Sequence, residues 1–383
     1  MIANLYFRDE RPPANNAGSP QGGNRVSLRK TLLLCFTGWL ILISGLHAHL
    51  NPVSMRGLAE LVASFHRSKD AVTTGKFKIG FLPVTCHLTC PVTDFINQQM
   101  TGQSTFEPVR FNSWPELKES YLAGHTPATF ILAPMAIALR EQGVKIKIVY
   151  LGHRDGTAVM VHKDSSIFRM EDLRGKRVAI PNRYSNQRLL FFRALKLANM
   201  TIDEIQLVEM PPPDMPAALY SKSVDAVCSG EPFMGQTELD GYGRVLWLTK
   251  DVWPNFISCV LAVRDDIIQT RRADVQALVD GIAKSGKWLD KSMDNRMSAA
   301  QFVSKNYYNQ NPRLLAFVLS KPPDRVKYTR LTPLKPDFEE IEALGKESGI
   351  LKGTAHVEDY VDPSFADAAT EHAEAWNFTG PKP

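Results

Sequence analysis

The sequence predicts a two-lobed α/β protein, each lobe a mainly parallel sheet flanked by helices, with a ligand cleft between the lobes. Three observations point there. From Lys76 onward, short apolar strand-like runs alternate with segments of helical periodicity, the pattern of a parallel sheet covered by helices. The alternation restarts after "GTAVMVHKDSSI", as it would if a second unit were inserted into the first. Past Asp265 the chain turns mostly helical. The 383 residues are 44% hydrophobic and 22% charged, which suffices for a large core divided over two lobes.

The first unit opens with the apolar strand "FKIGFL" (77–82), followed by the helix "PVTDFINQQM" (91–100). "FEPVRF" (106–111) is the second strand. In "SWPELKESYLAG" (113–124), Ser113 and Glu116 have capping-box spacing, Pro115 lies in the first turn and Gly124 stops the helix. "ATFILA" (128–133) and "KIKIVYLG" (145–152) are strands, with the helix "PMAIALREQG" (134–143) between them.

The second unit begins with the strand "KRVAIP" (176–181) and the helix "SNQRLLFFRALKLANM" (185–200), N-capped by Ser185, its Leu/Phe stripe facing a core. "IQLVEM" (205–210), "DAVC" (225–228) and "RVLWL" (244–248) are further strands, and "FISCVLAVR" (256–264) returns to the first unit. The expected division is residues 76–157 plus 262–365 for lobe 1, 158–261 for lobe 2, and 366–383 as a C-terminal tail. Two crossings make a hinge, and a cleft between hinged lobes suits a small ligand.

Residues 1–30 carry five basic and two acidic side chains, and residues 31–50 contain no Asp, Glu, Lys or Arg. The uncharged run Thr31 to Leu46 and the small residue Ala48 complete an export-signal pattern. The run has 16 residues, short of the roughly 20 of a spanning helix. Residues 1–50 are therefore expected to be a signal peptide, or an anchor in which residues 31–46 tether the protein to the membrane. The formal net charge is +5, of which +2 lies outside residues 1–30. No domain-wide basic field exists to hold a nucleic acid. Loss of Cys35 with a cleaved signal would leave Cys86, Cys90, Cys228 and Cys259, an even number that permits disulfides in an oxidising compartment.

Taken in order, "SWPELKESYLAGHTPATFILAPMAIALREQG", "EDLRGKRVAIP", "VDAVCSGEPF", "DVWPNFISCVLAVRDD" and "LTPLKPDFEEI" resemble the substrate-binding proteins of ABC transporters for nitrate, sulfonates, taurine and bicarbonate. That family also includes pyrimidine-precursor binders. The resemblance covers about residues 76 to 365. It implies a two-lobed periplasmic-binding-protein fold of type II and an exported, periplasmic, monomeric protein that captures a small ligand. The implied partners are a membrane permease and its separate ATPase. The chain has no G-x-x-x-x-G-K-[ST] loop and is not that ATPase. No cofactor is expected.

In an open α/β lobe, ligands lie beyond the carboxyl ends of strands, where helix N-termini favour anions. That rule selects Thr85, Cys86 and His87 after the first strand, Trp114 at a helix start, and Arg154 and Asp155 in "GHRDG". It also selects Ser185, Asn186 and Gln187, then Gly230 and Glu231 in "SGEPF". Oxyanion-binding relatives carry a Trp in the position matching Trp114. Nitrate and bicarbonate binders tend to have a His where this chain has Ser185–Asn186, and some relatives carry a basic residue at the position of Asn255. These departures favour a small polar or anionic organic ligand, sulfonate-like or heterocyclic, over a simple inorganic anion.

Cys86, His87 and Cys90 leave several readings open. Two thiolates and an imidazole suit Cu(I) or Zn(II), but the ligand set is incomplete. A Cys86–Cys90 disulfide would stiffen the loop, and free thiols would fill small buried spaces. Packing or a disulfide ranks ahead of a metal, with Cys228 and Cys259 expected on the cleft side as well. The pyrimidine branch of the family includes an iron-dependent enzyme whose cysteine-rich motif "CHLTC" does not match, so no enzymatic activity is expected. A membrane-anchored sensor of the same fold, or a soft-metal-binding protein using Cys86, His87 and Cys90, are the alternative functions.

Overall fold

The computed structural model describes residues 35–43, 76–372 and 374–381. The basic segment before the apolar run and the cleavage position at Ala48 lie outside the described residues. Residues 35–43 form a helix with Phe36, Trp39, Ile41 and Leu42 exposed. They belong to a different unit from residues 76–372 and 374–381, which lie in the larger one. Among the described residues, no helix is long and apolar enough to cross a membrane.

In the larger unit, β1 (Phe77–Phe81) pairs in parallel with β2 (Phe106–Arg110) and β3 (Ala128–Leu132). Their helices are α1 (Thr89–Thr101), ended by Gly102 at φ 74°, α2 (Trp114–Leu122) and α3 (Ala133–Glu141). After β4 (Ile146–Leu151), the chain crosses through β5 (Arg154–Asp155) into β6 (Thr157–His162) of a second sheet. That sheet's segment continues with β7 (Arg177–Ile180), α4 (Asn186–Leu197), β8 (Gln206–Glu209) and α5 (Met215–Tyr220). It closes with β9 (Ala226–Gly230), α6 (Phe233–Leu239), β10 (Gly243–Leu248) and α7 (Thr249–Val252). β11 (Cys259–Arg264) returns to the first sheet, followed by α8 (Asp265–Thr270), α9 (Arg272–Lys291), α10 (Met293–Val303) and α11 (Pro312–Ser320). The two-residue β12 (Val326–Lys327), α12 (Lys335–Glu347), α13 (Val357–Tyr360) and α14 (Ser364–His372) follow.

The strand orders are β2-β1-β3-β11-β4 and β10-β6-β9-β7-β8. The expectation of mainly parallel sheets describes β1–β3 and β7–β9, but both sheets are mixed. β11 runs antiparallel to β3 and β4, and β6 runs antiparallel to β9 and β10. The register supplies the reason. Thr157 of β6 stands opposite Gly230, the last residue of β9, and Cys259 of β11 stands opposite Leu132, the last residue of β3. Each crossing strand thus enters its new sheet at the carboxyl edge and can only run back against its neighbours, with no helical crossover to reverse it. The same register places the carboxyl edges of the two sheets next to the crossings.

β3 is buried throughout because both its faces are covered. α9 turns Val275, Leu278, Val279, Ile282 and Leu289 inward at helical spacing. Residues 374–381 do not trail away from the fold. Trp376 Nε1 donates to Ser285 Oγ at 2.9 Å, and Trp288 Nε1 donates to the Phe378 carbonyl at 2.9 Å. α11 packs across to α6, where Gly235 leaves room for Val318: a Cβ there would stand 2.2 Å from the Val318 side chain. α4 reaches α12 through the Arg193–Glu340 ion pair.

Candidate functional site

β1 ends against a short 3-10 turn, Thr85–His87, that runs into α1. The turn is fixed by its backbone. Thr85 N–H donates to the Glu231 carbonyl of the second lobe at 2.7 Å. Tyr328 Oη donates to the Thr85 carbonyl at 2.9 Å, and Tyr308 Oη to the Val84 carbonyl at 2.7 Å. Gly152 lets β4 pass close by, since a Cβ there would lie 2.3 Å from the Cys86 carbonyl oxygen.

His87 is fully buried, and its Nδ1 accepts a hydrogen bond from the Leu82 N–H at 2.7 Å. Burial, and secondarily His153, hold the ring well below the ordinary imidazole range, so it is neutral. A neutral ring that accepts at Nδ1 carries its proton on Nε2, and that Nε2 has no partner. The ring lies 5.0 Å from Phe130 and meets Trp114 edge-on at 5.5 Å. Trp114 opens α2 behind the N-cap Ser113, whose Oγ accepts from Glu116 N–H. The indole is 3% exposed and its Nε1 is also unpartnered.

From the second lobe, Ser185 caps α4 by accepting from Arg188 N–H at 3.2 Å. Asn186 Nδ2 donates to the Ile257 carbonyl, and its Oδ1 has no partner. Gln187 Nε2 lies 3.4 Å from Ser258 Oγ and 3.5 Å from Thr157 Oγ1, with Oε1 unpartnered. Ser258 in turn takes a contact from Cys259 Sγ at 3.7 Å, and Cys259 adjoins Cys86 and His87. A polar seam therefore runs from Gln187 of one lobe to Cys86 and His87 of the other.

Two grooves open from between the lobes on either side of the start of α2. One, of about 420 Å³, is lined by Asn112 and Ser113 on one side and Pro211, Pro213 and Asp214 on the other. The second, of about 140 Å³, lies between Pro115 and Met135 and the loop Asn182–Tyr184.

Thr85, Cys86, His87, Trp114, Ser185, Asn186 and Gln187 are thus all buried along the facing edges of the two lobes. The remaining sequence-derived positions are engaged elsewhere. Arg154 gives Nε to the Arg330 carbonyl at 2.8 Å, Nη1 to the Asn255 carbonyl at 3.0 Å and Nη2 to Asp337 at 2.7 Å. Its guanidinium is a brace between chain segments. Asn255 is exposed, at φ 61°, and serves that brace through its carbonyl. Asp155 pairs with Lys327 Nζ at 2.9 Å. Gly230 pairs with Thr157 across the β9–β6 ladder. Glu231 turns its carboxylate to Gly235 N–H at 2.7 Å and to Arg325, while its backbone carbonyl holds Thr85.

Of the readings of the thiols, free cysteines in buried space agree with the structure and the disulfide does not. All five cysteines are free, so Cys86 and Cys90 are not bridged. Cys90 has entered α1, and Cys228 is buried within β9. Only Cys86 and Cys259 come together, beside His87. Cys259 replaces Cys90 in the expected cluster because the antiparallel return of β11 brings its first residue to the carboxyl edge of β3.

His153 was missed by sequence reasoning, which singled out its neighbours. Its Nε2 lies 3.0 Å from Thr85 Oγ1, and burial pushes its pKa down from 6.5 to about 3. As pH falls, the unfolded chain takes up this proton before the folded one. Stability is complete above the unfolded value and is lost from about pH 6.5 toward pH 3, by up to ~1.4 kcal/mol per pH unit. His153→Gln should flatten the slope in a series of urea denaturations between those limits; an unchanged slope would contradict the assignment.

Comparisons with known proteins agree with this architecture. The NMT1-like family matches residues 70–304. The nitrate/nitrite binding protein NrtA of Nostoc sp. is 23% identical over 262 residues, covering 62% of this chain. The chain spans 59% of that relative's length. The solved ligand-binding component of an ABC-type import system from Staphylococcus aureus, with zinc bound, is 26% identical with a TM-score of 0.68, covering 78% of this chain and 99% of that one. The periplasmic nitrate-binding protein NrtA from Synechocystis PCC 6803 has a TM-score of 0.70 at 16% identity, over 78% of this chain and 89% of that one, and shares the fold.

Proposed function

This chain belongs to the NMT1-like family, and on that premise we propose that it is the solute-binding component of an ABC importer. It is exported to the periplasm, works as a monomer, and delivers its ligand to a permease driven by a separate ATPase. The ligand is a small polar or anionic organic molecule, sulfonate-like or heterocyclic, held in the seam between the lobes. One observation carries the reading. Trp114 Nε1, His87 Nε2, Asn186 Oδ1 and Gln187 Oε1 are buried without partners along that seam. Each such group costs about 1–3 kcal/mol, and a ligand supplying the missing bonds to both lobes would stabilise the closed form selectively. The names of the relatives, a nitrate/nitrite binding protein and a ligand-binding component of an importer, support the class.

Catalysis is not part of the proposal. Burial and the neighbouring Cys259 push the Cys86 thiol well above its ordinary range, whereas a nucleophilic cysteine needs an accessible thiolate. The test is a thermal-shift panel on the full chain with nitrate, bicarbonate, methanesulfonate, an aryl sulfonate, taurine and pyrimidines. A solute at 100 times its Kd adds about 2.7 kcal/mol, so the proposal expects a higher melting temperature with one organic member. No response to any member would count against it.

A further inference from the structure

We propose that Cys86 and Cys259 form a two-sulfur site for a soft monovalent cation, Cu(I). The ligand atoms of Cys86, His87 and Cys259 all lie within 4.8 Å of one another, and all three side chains are buried. The thiols come from separate elements, the turn after β1 and the first residue of β11, each tied to its surroundings. Gly152 lets the backbone close over both, since a Cβ there would lie 2.3 Å from the Cys86 carbonyl oxygen and 3.2 Å from that of Cys259.

His87 stands beside the sulfurs but is not a ligand. Its Nδ1 lone pair is taken by the Leu82 N–H, which leaves the proton on Nε2 and no free lone pair on either nitrogen. A metal-bound imidazole shows the reverse arrangement, with the second nitrogen donating its proton outward. Two sulfurs without a third donor fall short of the four ligands of structural zinc, and hard cations take oxygen. Cu(I) is soft and selects thiolates. The two sulfurs lie within 4.8 Å of each other, close enough for one ion to bridge them with metal–sulfur bonds of about 2.3 Å, as in zinc thiolates.

Binding replaces two S–H bonds by two Cu–S bonds and releases two protons. The metal stays Cu(I), and the bound group carries one negative charge, to which the unpartnered Nε2–H of His87 can donate. Affinity therefore rises with pH. Cys86, His87 and Cys259 are all buried, so entry of the ion requires the surrounding structure to open.

The test uses the full chain with Cys35, Cys90 and Cys228 changed to Ser, titrated anaerobically with Cu(I) against a colorimetric chelator, and separately with Zn(II). One Cu(I) per chain is expected, with affinity falling about 100-fold or more in Cys86→Ser or Cys259→Ser and less than about tenfold in His87→Asn. Zn(II) should not bind stoichiometrically. Circular dichroism checks the folding of each variant. X-ray absorption of the Cu(I)-loaded three-serine protein should count two sulfur neighbours, whatever the fate of the variants. No Cu(I) uptake, uptake unchanged by Cys259→Ser, or a loss in His87→Asn as large as in Cys259→Ser would overturn the proposal.

Discussion

Arg325→Met should destabilise the protein by about 3–5 kcal/mol at neutral pH, the usual cost of stripping one partner from a buried ion pair. Arg325 is buried, with Nη1 3.5 Å from Glu231 and Nη2 2.7 Å from Glu238. Glu238 is partly exposed and can turn to water, but Glu231 is fully buried. Burial already raises the Glu231 pKa, and Arg325 first, then the Gly235 N–H, oppose the rise. Without the cation, the folded-state pKa climbs further above the unfolded one, so the native state binds the proton more readily. The variant's deficit should therefore be largest at high pH and shrink as pH falls toward the ordinary carboxylate range. Urea midpoints from pH 8 down to 5 test this. A loss that stays the same at every pH would show that the missing charge on Glu231 is not its cause. Because Glu231 also holds the Thr85 backbone, the pair supports the candidate site from below.

Arg154→Ala should act on stability, with a loss of about 3–5 kcal/mol from an unpaired buried network. The side chain makes bonds to Arg330, Asn255 and Asp337, joining the first crossing to the second and to α12. Asp337 is partly exposed, which places the loss toward the lower end. Thermal unfolding measures it directly. A variant that melts like the wild type yet loses solute affinity would restore Arg154 as a ligand-binding residue.

The legible parts of the fold were those with local causes. Apolar runs marked β1, β3, β4 and β7, and N-caps marked α2 at Ser113 and α4 at Ser185. The carboxyl-edge rule picked out Thr85–His87, Trp114 and Ser185–Gln187, which lie along the facing edges. What stayed hidden depends on distant pairing. Cys259 meets Cys86 only through the antiparallel register of β11, which no local pattern encodes. In "GHRDG", alternation of side chains sends His153 toward Thr85 and Arg154 toward Asp337. Sequence reasoning located that segment but could not assign its faces. The charged partners of Arg154 and Glu231, Asp337 and Arg325, come from the C-terminal part, beyond the reach of spacing rules.

The most direct test of solute capture between the lobes is calorimetric titration of the solute selected by the thermal-shift panel. Wild type would be compared with Trp114→Phe from one lobe and Asn186→Ala from the other. Trp114→Phe keeps an aromatic ring and removes the unpartnered N–H; Asn186→Ala removes the unpartnered carbonyl oxygen together with the Nδ2 donor to the Ile257 carbonyl. Capture by both lobes predicts that each variant folds and loses about tenfold or more in affinity, one hydrogen bond's worth of about 1.5 kcal/mol. Wild-type affinity in both variants would place the solute elsewhere and contradict the assignment of the seam.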